Sequence, residues 1–211
     1  MPAFSTVALP RKIVFPILIC VAFYLLSLGG CTAMHAQNPG AGYGPVNAVA
    51  NDKGARVMLK GADVVSYFVD GKSAMGTPEF SSVYKDVTFQ FSSAKHKALF
   101  DTQPEKYLPE FGGYCANGLV YGIPWGGDFD TYKMIDGKLY INGGQGSKDA
   151  FGLDEKRHIK LATKYWKEEV QGSNSFVQRL KRLVFRVPHY KGGAQLAADV
   201  AAAKANGTYK P

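Results

Sequence analysis

Asp136-Gly137 stands between two short apolar-alternating runs, Thr131–Ile135 and Lys138–Asn142. An Asp-Gly pair in that setting favours a two-residue type I′ turn, because both turn positions need a positive φ. The spacing therefore predicts a β-hairpin over 131–142. A second strand pair is predicted over Glu79–Tyr84 and Val87–Ser92, joined tightly at Lys85-Asp86. There Val87, Phe89 and Phe91 share one face by the period of two. Asp63 can cap a brief helical turn through Val64–Phe68, and Asp70-Gly71 is a turn signal. Ser92 or Ser93 caps a helix over Ala94–Thr102, expected to bury Ala98, Leu99 and Phe100. A helix from about Asp154 to Val170 carries Ile159, Ala162, Tyr165, Trp166 and Val170 on one stripe. Strands gathered ahead of the final helices predict an α+β fold, with a small antiparallel sheet and flanking helices.

The start of the chain reads differently. Arg11-Lys12 precedes Ile13–Leu28, which is apolar apart from Ser27. That is the layout of a secretory signal, with Pro16 interrupting a stretch already short for a membrane span. Leu28-Gly29-Gly30-Cys31 resembles a bacterial lipobox, which implies cleavage before Cys31 and lipid attachment to it. Thr32 is not the Asp that retains lipoproteins at the inner membrane. An uncleaved anchor, or cleavage near Ala33 or Ala36, is the alternative. Residues 1–30 are thus expected to be a signal peptide. Residues 31–55, rich in Gly, Ala, Asn and Pro, are expected to be a flexible tether. The chain would sit in the cell envelope, on the periplasmic side, anchored by lipid.

Charge is divided unevenly along the 211 residues. Residues 37–155 hold 11 basic and 14 acidic side chains, and residues 156–211 hold 12 basic and 3 acidic. The overall +8 is therefore a property of the C-terminal quarter. A mildly acidic middle repels phosphate, which excludes a nucleic-acid-binding core. Three cysteines, Cys20, Cys31 and Cys115, cannot build a disulfide framework or a four-Cys zinc site. If the signal leaves and Cys31 is lipidated, Cys115 is the sole free thiol. The Gly-rich runs match neither a P-loop nor a dinucleotide fingerprint, and there is no nucleophile elbow or HExxH.

An ordered series of motifs spans residues 56–170. It runs through Gly61-Ala62-Asp63-Val64-Val65-Ser66-Tyr67-Phe68, Gly76-Thr77-Pro78-Glu79-Phe80 and Phe89-Gln90-Phe91-Ser92-Ser93. It continues through Phe100, Pro104-Glu105-Lys106-Tyr107, Pro109-Glu110-Phe111-Gly112-Gly113-Tyr114-Cys115-Ala116 and Asp136-Gly137-Lys138-Leu139-Tyr140-Ile141-Asn142. Together these resemble the YHS-domain family, in its branch of short secreted proteins. The resemblance implies a treble-clef-like YHS domain over 56–170, followed by a basic helical extension over 171–211. Some YHS domains bind metal beside copper pumps or within oxygenases. Here Ser66, Ser92 and His96 stand near positions where those domains carry cysteines, so a Cys₃ or Cys₄ centre cannot form.

Cys115, beside Gly112-Gly113, is the candidate thiolate ligand or redox thiol. His96, in the first turn after Ser92-Ser93, could join it in a soft site suited to copper or zinc. The plainer readings are a packed small apolar side chain for Cys115 and an exposed helix-face residue for His96. His158 and His189 read as surface residues. Asp128, Asp130 and Trp125, in the Gly-rich 121–130 stretch, read as a solvated loop capped by aspartates. In the tail, Phe176, Leu180, Leu183, Val184 and Val187 recur at helical spacing. Arg179, Lys181, Arg182 and Arg186 decorate the rest, and Pro188 ends the helix. Such a helix can lie on anionic lipid or a partner chain, or pack on the domain with a solvated basic face. Ala194–Ala205 predicts a further helix. The expectation is a membrane-tethered, non-enzymatic binding module. The alternatives are a thiol-dependent redox protein and an interaction protein gripping through its tail.

Overall fold

The computed structural model describes residues 48–50 and 56–209. The expected signal peptide and Cys31 lie outside the described residues. Six strands are found among them: β1 (Ala48–Ala50), β2 (Arg56–Met58), β3 (Thr77–Tyr84), β4 (Val87–Phe91), β5 (Asp128–Ile135) and β6 (Lys138–Asn142). The helices are α1 (Ser66–Val69), α2 (Ala94–Thr102), α3 (Ala116–Leu119), α4 (Gln145–Gly152), α5 (Glu155–Tyr165), α6 (Ser175–Val184) and α7 (Gly193–Ala205). The fold is α+β. β1, inside the segment expected to be a tether, pairs antiparallel with β2.

The first sheet has the order β1-β2-β4-β3, with β3 and β4 antiparallel and β2 parallel to β4 at Val57↔Thr88. It is mixed rather than purely antiparallel, because the β1–β2 pair adds alongside β4 on the edge that β3 leaves free. The second sheet is the β5–β6 hairpin. Its turn residues, Asp136 at φ 50° and Gly137 at φ 73°, take the left-handed values that the sequence demanded. Lys85 and Asp86, at φ 48° and 62°, close the β3–β4 hairpin in the same way.

Val87, Phe89 and Phe91 are all fully buried, as the period of two requires. They meet Phe100 from α2, together with Met58, Val65 and Tyr67. A second core gathers Tyr114, Leu119 and Val120 with Phe151, Ala162, Tyr165 and Val170. β6 joins the two: Leu139 and Ile141 enter the first core and Tyr140 the second.

One helix turns differently from expectation, and the 154–170 helix meets it with its stripe on the second core. On α2, Ser93 accepts from the His96 N–H as the N-cap, but the inward residues are His96 and Phe100 while Ala98 is exposed. α5 is capped by Asp154, which accepts from the Arg157 N–H, and stops at Tyr165. Trp166–Val170 continues it as one wider turn.

Candidate functional site

The chain reaches Cys115 through three successive left-handed residues, Phe111, Gly112 and Gly113, at φ 55°, 61° and 77°. Glycine occupies two of them because a side chain is strained there. The turn aims Cys115 inward, where it caps α3. The Gly118 N–H donates to its Sγ at 3.4 Å and the Gly143 N–H at 3.2 Å. Gly143 comes this close because a Cβ there would stand 3.0 Å from the Gly126 carbonyl oxygen and 3.5 Å from the sulfur. Burial pushes the Cys115 thiol up, and the N–H donors only partly oppose it. A protonated thiol, 3% exposed, is neither a ready nucleophile nor a metal-binding thiolate.

Beside this sulfur lies a cleft of about 570 Å³ between the N-terminus of α4 and the side of α7. Its polar wall is Asn117 and residues Gly143–Ser147. Its apolar wall is Leu196, Ala197, Val200 and Ala201, and Lys204 lies on the rim. The Ser147 and Lys148 amides donate to the Gly144 carbonyl, which leaves the Gln145 and Gly146 amides open at the start of α4, and the helix dipole makes that end attractive to an anion. Asn117 is 6% exposed, yet its side-chain oxygen has no protein hydrogen-bond partner. The adjacent Asn142, fully buried, has none for either side-chain polar atom. Buried amides of this kind cost about 1–3 kcal/mol each when unmatched. Lys204 is held by Asp149 at 2.8 Å, and Tyr209 donates to the same carboxylate.

His96 is elsewhere, and its contacts do not include Cys115. Its Nδ1 lies 2.7 Å from Asp63 Oδ2. That carboxylate is fully buried and takes four further bonds, from the N–H groups of Val65, Ser66 and Ser92 and from the Ser92 hydroxyl. Burial alone would raise the Asp63 carboxyl, but this set of donors outweighs it and holds the group below its usual range. Ser92, Asp63 and His96 do not form a catalytic triad. Ser92 Oγ and Asp63 Oδ2 both face the same ring nitrogen, so the imidazole cannot relay a proton between them. The other nitrogen, Nε2, is 3.7 Å from Asp70 Oδ2. His96 is thus a buried staple between α2 and the 62–66 turn, not an exposed residue.

The donor set does not fit a soft-metal centre. Cys115 faces N–H donors, which cannot ligate, and His96 commits one nitrogen to Asp63. Among the described residues no three His, Cys, Asp or Glu side chains are grouped to hold a metal ion. His158 and His189, read as surface residues, are half-buried and bond the carbonyls of Phe151 and Val120. Asp128 and Asp130 are exposed, but they stand on β5 rather than in the expected loop, because the strand pairs Asp128 with Asn142.

The four basic residues of the tail part company. The Arg179 Nε donates to the Pro124 carbonyl at 2.8 Å, and its guanidinium lies over Trp125. Arg182 pairs with Glu169 and lies over the Tyr165 ring. Both face the domain. Lys181, 3.0 Å from the same Glu169, and Arg186 remain exposed. Gln178, 4% exposed, donates to the Gly122 carbonyl. Burial would raise the Glu169 carboxyl, but Gln178, Lys181 and Arg182 together hold it below its usual range. α6 therefore packs with its polar face inward, because the surface beneath offers carbonyl and carboxylate acceptors and the aromatic faces of Trp125 and Tyr165.

Comparison with protein-family models, with characterised proteins and with solved structures returned no match.

Sequence reasoning missed Asn117, Asn142 and the Asp63–His96 bond. Asn117 was visible as the one polar side chain in the apolar 114–120 run. The other two leave no local mark.

Proposed function

We propose that this chain is a lipid-anchored, YHS-like module of the cell envelope that binds a small carboxylic acid without transforming it. The observation that carries the ligand reading is the cleft beside Cys115. The open amides of α4 and the cation of Lys204 suit an oxyanion. The Asn117 oxygen is an acceptor and wants a donor, so the ligand pairs its carboxylate with a hydroxyl or amine. The Leu196–Ala201 wall suits a short alkyl group. Hydroxy and amino acids of a few carbons have all three parts.

Calorimetric titration of the full chain with lactate, 3-hydroxybutyrate, alanine and inorganic phosphate tests the reading. Saturable binding of at least one of the acids is expected, with phosphate weaker for lack of an alkyl group. Gly146→Asp places a like charge at the α4 N-terminus and should weaken binding by roughly tenfold or more. A side chain at Gly146 meets nothing within 4 Å, so the fold should survive it. Ala197→Trp, filling the cleft, should abolish binding. No saturable binding of any acid, or binding untouched by both variants, overturns the ligand reading. The anchor is tested separately: labelled palmitate should be incorporated in cells and lost in Cys31→Ser.

A further inference from the structure

We propose that α6 lays its apolar face on the lipid bilayer, with Lys181 and Arg186 against anionic headgroups. A helix on a soluble domain normally buries its apolar stripe and exposes its polar one. α6 does the reverse. Phe176, Val177, Leu180, Leu183, Val184 and the following Phe185 are 42 to 68% exposed, while Ser175 and Gln178 are buried. A contiguous apolar surface of this kind marks an interaction site.

The occupant follows from the rest of the chain. Residues 13–28 are an apolar run and Cys31 is the lipid-attachment candidate, so this inference rests on the anchor part of the function proposed above. The 17 residues from Cys31 to the start of β1 have a linker composition whose reach is roughly 20–25 Å. A domain held on such a tether faces lipid at high effective concentration, which makes one weak amphipathic contact sufficient. The charge agrees. α6 carries no acidic residue, and its one exposed cation, Lys181, with Arg186 just beyond its end, borders the apolar face. An interfacial helix has this arrangement, apolar towards the acyl boundary and cationic at the headgroups. Here the third side, buried on the domain through Gln178, Arg179 and Arg182, fixes which face is offered.

The test uses the full chain with phosphatidylethanolamine–phosphatidylglycerol vesicles and a water-soluble maleimide. Leu183→Cys reports on the α6 face. Val83→Cys, on the exposed edge strand β3, is the control, and the parent chain gives the background from the native cysteines. Vesicles should slow labelling at 183 by roughly tenfold or more and leave 83 unchanged. Adding Leu180→Glu to the Leu183→Cys chain should restore the fast rate. Equal rates at 183 with and without vesicles overturn the proposal, even if residues 13–28 hold the chain on the vesicle. Protection at 183 that appears without vesicles and grows with protein concentration also overturns it, in favour of a second copy. Because the readout is contact at 183, failed palmitate labelling of Cys31 would refute the anchor without deciding this result.

Discussion

Removing the Asp63 carboxylate should destabilise the domain more than any surface substitution. Asp63→Ala strands the N–H groups of Val65, Ser66 and Ser92, the Ser92 hydroxyl and His96 Nδ1. Hydrogen bonds to a charged group contribute about 1.5–3 kcal/mol each, but such values do not add within one network. Ser92 is exposed, so water can replace part of what it loses. A loss of about 3–5 kcal/mol is expected, because several buried donors lose their one acceptor together. That corresponds to a fall in Tm of roughly 6–20 °C for a domain of this size. The pH dependence gives a second readout. Folding holds the carboxyl below its unfolded value of about 3.9, so its contribution is full above that pH. The contribution drains away as pH falls through the lower, folded value. Asp63→Asn, which keeps the shape, should therefore flatten the acid limb of the stability curve. Urea unfolding at a series of pH values measures both effects. The reasoning is refuted if Asp63→Ala stays within about 1 kcal/mol of the parent, or if Asp63→Asn keeps the parent's acid limb.

Other expectations follow from single contacts. Gly137→Val, at φ 73°, should cost about 1–2 kcal/mol in urea unfolding, whereas substitution in an unstrained loop should not. Cys115 should resist iodoacetamide at neutral pH in the folded chain and react quickly only after denaturation; fast native labelling would contradict its raised, buried thiol. Glu169→Ala should loosen α6, cost about 1–3 kcal/mol and make the 175–184 segment more open to proteolysis. Since folding lowers the Glu169 carboxyl, its holding effect is complete above its unfolded value and fades with acidification.

What the sequence made legible is what a few neighbouring residues decide. Asp136-Gly137 dictates its own turn. Val87, Phe89 and Phe91 dictate a face, and Ser93 and Asp154 start helices with their own oxygens. The inward rotation of α2 was hidden because the partner of His96 is Asp63, 33 positions earlier. The orientation of α6 was hidden for the same reason. Apolar periodicity locates a stripe but not the surface opposite it, and here that surface is the Gly122 and Pro124 carbonyls and Glu169. The cleft escaped notice because its anion-attracting part is backbone, which any sequence supplies. The parallel β2–β4 contact is a single register pair and leaves no pattern to read.

The sharing of β6 between the two cores has a consequence for how the molecule comes apart. With Leu139 and Ile141 on one side and Tyr140 on the other, neither core can open without exposing the strand that the other needs. The two halves should melt in one cooperative transition, and no cut between them should leave a separately folded piece. The amides of β6 should be the slowest in the chain to exchange with deuterium, freed only by global unfolding.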